Sequence, residues 1–240
     1  MEKNMMQNII GSNYTENPVL NYLNYWIQGD ETYPNFIDKD EWRKKYEVDV
    51  NWLDGDLHAD TLLSFGGPLM MAVNVLKDNK KYPSNFYKNN KYGNPSKFIQ
   101  IISNDINNIL PRGNKLVEEI YKFSEVACNR ENVIRLPNRC MQKRGLSPYF
   151  DQMPKFLYEC FSGGAFSSNF KDDENFKKWI NEESLECFFV DGIISKNTIK
   201  PLLSKLKPSD SAWLIEEDDL LELFQNYNEL LLLRKQLLNI

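Results

Sequence analysis

An arginine-rich segment in the middle of the chain holds the residues best suited to binding an anion. Its basic residues are opposed only by Glu131; they are Arg130, Arg135, Arg139, Lys143 and Arg144. A guanidinium group can bind phosphate or carboxylate through two parallel hydrogen bonds, so such a cluster favours an anionic ligand. Neighbouring asparagines add amide groups to the same segment. We therefore predict that the candidate ligand-binding residues are Arg135, Arg139, Arg144, Asn132 and Asn138.

A structural role for the same side chains is the competing interpretation, and it is the one we favour. The segment is irregular, and a buried irregular backbone needs side-chain hydrogen-bond partners. On this interpretation Asn132 and Asn138 bond the backbone internally. At least one arginine then meets a carboxylate, and Asp151 and Glu159 are the nearest candidates in the sequence.

Other residue patterns do not form a recognisable catalytic or metal site. The only histidine, His58, lies beside Asp54, Asp56 and Asp60, but helix capping or a solvated turn explains this cluster better than Mg²⁺ binding. There is no P-loop, G-x-G-x-x-G or G-x-S-x-G motif. The four cysteines are widely spaced, so we expect free thiols, no metal site and no cofactor. The catalytic residues stay unknown, and the sequence does not decide whether the protein is an enzyme.

The composition excludes several broad classes. The chain has 240 residues, 42% of them hydrophobic, which is enough for a full core. Its net charge of −5 disfavours a protein that binds nucleic acid over its whole surface. The first residues lack the features of a signal peptide, and no apolar stretch reaches the ~18 residues needed to cross a bilayer. We therefore expect a cytoplasmic protein without membrane association.

Helical spacing flanks the arginine-rich segment on both sides. Apolar residues recur three and four positions apart over residues 116–127 and again over 153–161. Between these stretches, the apolar run that begins at Val133 and is closed by Pro137 predicts a short extended piece, because the residue before a proline avoids the helical region. The sequence thus predicts a helix, a buried irregular connector over 128–150, and a second helix.

Two other segments also show a helical pattern. The run from Leu57 to Asp78 is the most apolar in the chain and contains Gly66-Gly67-Pro68. A proline inside a helix costs ~3 kcal/mol, so we predict two buried helical pieces that meet at the glycines. Residues 193–206 are also predicted to be helical. Together these patterns predict a mainly α fold with a flexible N-terminus over 1–15 and a single compact helical domain over 16–240.

The last helix is the longest that the sequence predicts. It spans Ser209 to Ile240, with Asp210 or Ser211 as its cap, and Arg234 near its end suits the helix dipole. Its stripe of leucine and aromatic residues is wider than one core face requires. Two explanations stay open: the helix is enclosed on two sides within the fold, or it forms the seam of a homodimer.

Parts of the chain resemble known families. The runs NRENVIRLPNRCMQKRG, SPYFDQMPKFLYECFSGGAF and WLIEEDDLLELFQNYNELLLLRKQLL resemble an uncharacterised bacterial family, classed only as a domain of unknown function. This resemblance covers residues 55–238 and implies no activity. Residues 128–138 also resemble the C-terminal HNH-like nuclease domain of GmrSD-type restriction enzymes, with Asn132 on the motif's asparagine. The motif's histidine is absent here, which implies an inactive relative, since that chemistry needs the imidazole.

These observations favour a non-catalytic binding or interaction protein, with an anionic ligand or a protein partner. The resemblance implies a mobile-element or phage-defence setting in a bacterium. The alternative is an enzyme that acts on a nucleotide or phosphodiester, or a degenerate relative of the HNH-like nucleases.

Overall fold

The computed structural model describes residues 17–20, 22, 57–78, 82–83, 102, 104–127, 129–137, 153–161, 163, 170, 172–210 and 214–239. This part of the protein is mainly α, as predicted. Its helices are α1 (Gly66–Asp78), α2 (Lys115–Val126), α3 (Met153–Phe161), α4 (Asp173–Glu182) and α5 (Glu217–Leu237), and residues 104–109 are also helical. Its strands are β1 (Leu57–Thr61), β2 (Tyr82–Pro83), β3 (Val133–Pro137) and β4 (Leu214–Ile215).

The core is built around α5 and α2, which pack side by side and run in the same direction. Asn114, the N-cap of α2, donates to Glu217 at the start of α5 at 2.9 Å. Further along, Phe123 of α2 packs against Phe224 and Tyr227 of α5, with ring centroids 5.9 and 5.1 Å apart. Apart from Val133, the buried apolar residues of the described elements form one continuous cluster around this pair.

Two short antiparallel ladders accompany the helices. β1 pairs with β3, with Leu57 opposite Pro137 and Thr61 opposite Val133. β2 pairs with β4 over two residues. The extended run predicted from Val133 onward is therefore confirmed, and it is a strand because β1 supplies its hydrogen-bond partners.

The prediction for the segment from Leu57 to Asp78 is wrong in its first half. Residues 57–61 form β1, and only the second half is helical. Pro68 lies in the first turn of α1, where its missing N–H breaks no helical hydrogen bond. The glycine-proline sequence therefore starts a helix here and does not interrupt one.

The helix predicted over 193–206 is also wrong. This stretch contains one turn of 3₁₀ helix, Lys196–Thr198, and otherwise consists of turns and loops. The hydroxyl of Thr198 bonds the backbone carbonyl of Ser195 at 2.9 Å, and Pro201 has no N–H to give. Such local side-chain bonds offer the backbone an alternative to the helical ladder.

The C-terminal helix begins later than predicted. α5 starts at Glu217, with Glu216 as N-cap, so neither Asp210 nor Ser211 caps it. Asp219 accepts the N–H of Glu216 at 2.9 Å and completes a capping box. Residues 214–215 are extended instead, because they pair with β2.

The remaining organisation agrees with the sequence where the structure describes it. α2 ends at Val126 and α3 spans Met153–Phe161, as the apolar spacing predicted. Among the described helices, none is both long and apolar enough to cross a membrane. The predicted boundary between a flexible N-terminus over 1–15 and a helical domain over 16–240 stays a prediction, because it lies outside the described residues.

Candidate functional site

A buried arginine, Arg234, forms the centre of the candidate site. It lies in the last turn of α5, and its side chain is fully enclosed at 0% exposure. Nη1 donates to the carbonyls of Glu131 at 2.6 Å and Val133 at 2.8 Å, and Nε and Nη2 donate to that of Glu183 at 3.0 and 2.9 Å. Burial, aided by the charge of Arg130, lowers the pKa of Arg234 to about 10. The group is still a cation at neutral pH.

Glu183 is the carboxylate of the same network. It follows α4 directly, its N–H bonds the carbonyl of Trp179 at 2.9 Å, and its side chain is 1% exposed. One carboxylate oxygen accepts the backbone N–H of Arg135 at 2.9 Å, and the other accepts Arg135 Nε. Nη2 of Arg234 lies 4.0 Å from the carboxylate. Glu183 therefore balances the charge of two arginines that belong to different elements.

Side chains close the outer edge of β3. The N–H of Leu62 bonds the carbonyl of Asn132, so the ladder's alternation turns the backbone groups of Val133 and Arg135 away from β1. These outward groups find side-chain partners. The Val133 carbonyl accepts hydrogen bonds from Arg234 and, at 3.0 Å, from Arg130. The Arg135 N–H donates to Glu183, and the Arg135 carbonyl accepts the Trp179 indole N–H at 2.8 Å. The side chains thus occupy the place of a third strand and protect an edge that would otherwise be open.

The side chain of Asn132 links the start of the connector to the backbone of Leu63 and Ala127. Its side-chain oxygen accepts the N–H of Leu63 at 2.8 Å, and its amide donates to the carbonyls of Leu63 at 3.1 Å and Ala127 at 2.7 Å. The residue is 0% exposed. Asn132 does bond backbone groups, but these belong to Leu63 and to Ala127, just before the connector, and not to the connector itself as predicted.

Arg135 differs from Arg234 and Glu183 because part of it reaches the surface. Its side chain is 32% exposed, whereas that of Glu183 is 1% exposed. Nε is bound to Glu183, but no residue that the structure describes accepts from Nη1 or Nη2. In Arg135, Nε is thus held by Glu183, while the donors of Nη1 and Nη2 have no acceptor among the described residues.

The structure brings together only part of the predicted site. Arg135 and Asn132 lie on and next to β3, while Arg139, Arg144 and Asn138 fall outside the described residues. An arginine does meet a carboxylate, as predicted, but the partner is Glu183. Of the two candidates nearest in sequence, Glu159 lies 3.4 Å from Lys155, and Asp151 is outside the described ranges. Proximity in the sequence was a poor guide because the network joins elements that are distant in the chain.

Sequence reasoning missed the roles of Arg234, Glu183 and Trp179. A signal for Arg234 was present, since it follows the buried Leu230 and Leu231 by four and three positions and so lies on the apolar face of α5. A charged residue on such a face must find partners in the core. No comparable signal marked Glu183, whose partners come from tertiary contacts alone.

The other candidate chemistry finds little support in the part of the chain that the structure describes. Cys160 and Cys187 are buried and not in a disulfide, and Cys128 and Cys140 are outside that part. Burial raises the pKa of Cys187 to about 12, so its thiol is unreactive at neutral pH. Over the described residues, no three His, Cys, Asp or Glu side chains lie close enough to hold a metal ion. The backbone of His58 lies in β1, opposite Leu136.

Comparison with protein-family models, with curated proteins and with solved structures found no match to this chain. The resemblances drawn from the sequence stay predictions.

Proposed function

We propose that this chain is a non-catalytic binding or interaction protein, and that its recognition surface begins at Arg135. The observation that supports this proposal is the division of Arg135 into two halves. Glu183 holds its Nε and its backbone N–H, while Nη1 and Nη2 lack an acceptor among the described residues. A surface arginine held in this way loses little side-chain entropy when it binds an anion.

The environment of Arg135 supports binding more than catalysis. A general acid or base needs a titratable group that can reach the substrate. The carboxylate of Glu183 is 1% exposed and already bonded to Arg135. The guanidinium of Arg234 donates its hydrogen bonds to backbone carbonyls. These groups fix the backbone around Arg135, so the proposed role of the cluster is to present one cation.

The sequence extends the proposed surface beyond β3. Arg139 and Arg144 follow Arg135 by four and nine positions and would add positive charge to an otherwise acidic chain. A ligand or partner with negative charge is therefore the best match. The bacterial setting that we propose, a mobile element or phage defence, rests on the sequence resemblance alone.

A binding assay combined with an activity assay tests this proposal. Fluorescence anisotropy would follow a fluorescein-labelled oligoglutamate peptide titrated with the protein, its Arg135→Gln variant and its Arg112→Gln variant. Arg112 is a matched control, because it is also paired with a glutamate, Glu118, but its side chain is 59% exposed on another surface. We expect Arg135→Gln to weaken binding at least about tenfold, which is ~1.4 kcal/mol, and Arg112→Gln to leave it unchanged.

Each result bears on the choice between the two classes of function. Circular dichroism at the assay temperature would first verify that both variants are folded. If the peptide does not bind, or if both variants bind it like the unaltered protein, the proposal is wrong. The protein would also be incubated with bis(4-nitrophenyl) phosphate and Mg²⁺ or Mn²⁺. Turnover that Arg135→Gln abolishes would establish the enzyme alternative instead.

A further inference from the structure

The guanidinium of Arg135 offers only one of its two binding edges. A guanidinium can hold a planar anion either through Nε and one terminal nitrogen or through Nη1 and Nη2 together. In Arg135 the first edge is taken, because Nε donates to one oxygen of Glu183 while the other oxygen accepts the Arg135 N–H at 2.9 Å. The second edge has no acceptor among the described residues. A ligand must therefore approach end-on.

The backbone that carries this edge is fixed on both sides. The carbonyl of Arg135 accepts the indole N–H of Trp179 at 2.8 Å, and Arg135 lies opposite Ala59 in the ladder of β1 and β3. Trp179 itself packs in a cluster of aromatic rings, with Phe156 at 5.9 Å and Phe176 at 6.0 Å between ring centroids. The position of the free edge is thus set before any ligand arrives.

The described cluster around Arg135 carries an excess of positive charge. It contains three guanidinium groups, of Arg130, Arg135 and Arg234, and two carboxylates, of Glu131 and Glu183. One carboxylate group from a ligand is enough to neutralise this excess. Since the whole chain carries −5, a densely charged polyanion such as nucleic acid is disfavoured.

We infer that the Nη1–Nη2 edge of Arg135 is a preset site for one carboxylate group, supplied by an acidic side chain of a protein partner. This inference rests on the proposed function and specifies the chemistry of its ligand. A carboxylate is planar and singly charged, so its two oxygens match the two parallel donors of the edge. Lysine keeps the charge at this position but cannot reproduce the fork.

The Trp179 indole provides a local reporter for the test. Its N–H bonds the carbonyl of Arg135, so binding at the guanidinium should move its signal in a ¹H–¹⁵N correlation spectrum. The signal would be assigned with a Trp179→Phe variant, and the protein would be titrated with sodium acetate at constant ionic strength, with sodium chloride as the balancing salt. We expect a saturable shift with acetate. We expect Arg135→Lys to weaken the apparent affinity at least about tenfold and Arg112→Lys to leave it unchanged.

Several outcomes would overturn the inference, and all but the last leave the proposed function standing. If acetate leaves the indole signal where chloride leaves it, or if Arg135→Lys binds acetate normally, the end-on carboxylate site does not exist. The proposed function would still stand if oligoglutamate binding depended on Arg135. Tighter saturation by dimethyl phosphate than by acetate would instead identify a phosphodiester ligand and contradict the carboxylate assignment. If acetate saturates the site but oligoglutamate does not bind, the ligand is a small organic acid and not a protein.

Discussion

Arg234 shows how a single residue can join segments that are far apart in the sequence. Its five possible donors allow it to bond three backbone carbonyls at once, those of Glu131, Val133 and Glu183. Burying a cation is costly unless it is paired and hydrogen-bonded. Here the carbonyls and the carboxylate of Glu183 together offset that cost, so α5, β3 and the end of α4 depend on the same guanidinium.

We predict that Arg234→Met destabilises the fold by about 3–5 kcal/mol, as measured by urea unfolding. The reason is that removing one member of a buried charged network leaves its partners without compensation. Methionine fills a similar volume, so the loss reports the lost hydrogen bonds and charge more than a cavity. The unfolding midpoint and its slope should be compared at one pH near neutrality.

Arg112→Met is the matched control for this measurement. Arg112 also pairs with a glutamate, Glu118 at 3.0 Å, but its side chain is 59% exposed. Exposed pairs contribute ~1 kcal/mol or less. If the two variants lost the same small amount of stability, the network around Arg234 would not hold the fold together as we argue.

At the scale of secondary-structure elements, α5 is the helix that the other elements enclose. Its residues Leu220, Leu223, Phe224, Tyr227, Leu230 and Leu231 are buried, and Leu221 and Leu233 pack against the same core. The wide apolar stripe is therefore buried within the chain, which agrees with the explanation that the helix is enclosed on two sides within the fold. The homodimer stays a prediction, for which Leu232, 58% exposed, is the best-placed residue on α5.

We predict that Leu231→Ala costs about 2–5 kcal/mol in the free energy of unfolding, because Leu231 is 2% exposed and its truncation leaves a cavity. The adjacent Leu232→Ala should cost less than about 0.5 kcal/mol, since that side chain is largely in solvent. Chemical denaturation of the two variants makes the comparison. Similar losses in both, accompanied by a change in molecular mass by light scattering for Leu232→Ala, would show that this face of α5 contacts a second copy.

At the scale of the whole molecule, buried titratable groups make stability depend on pH. Burial raises the pKa of Cys187 from 9.0 to about 12 in the folded protein. Above pH 9 the unfolded chain therefore loses this proton while the folded chain keeps it, and stability must fall as pH rises. Arg234, with its pKa lowered to about 10, acts in the opposite direction, but only from about pH 10 upward.

We predict that, between pH 9 and 10, the unaltered protein loses more unfolding free energy than its Cys187→Ala variant, by up to about 1.4 kcal/mol per pH unit. Comparing the two proteins removes the contribution of other groups that titrate in this range. Urea unfolding at several pH values supplies the data. Parallel pH profiles for the two proteins would show that the Cys187 thiol ionises in the folded state as readily as in the unfolded one.

The sequence by itself determined the elements whose signals are local. Apolar spacing located α2, α3 and most of α5, and Pro137 marked the extended run that became β3. That Asn132 bonds backbone groups followed from a general rule, because a buried irregular backbone requires side-chain partners, but its partners Leu63 and Ala127 lie outside the predicted connector. Such inferences succeed because they depend only on neighbouring residues and on whether a face is buried.

Only the tertiary structure decided what depends on residues far apart in the chain. Residues 57–61 form a strand because β3, more than seventy positions later, supplies the ladder. Glu183 is the partner of Arg135 because α4 ends beside the outer edge of β3. Arg234 bonds core carbonyls and does not lie in solvent at the helix end, because α5 packs parallel to α2 and brings its last turn to the start of β3. No local sequence pattern encodes these tertiary contacts, since each depends on how the elements pack.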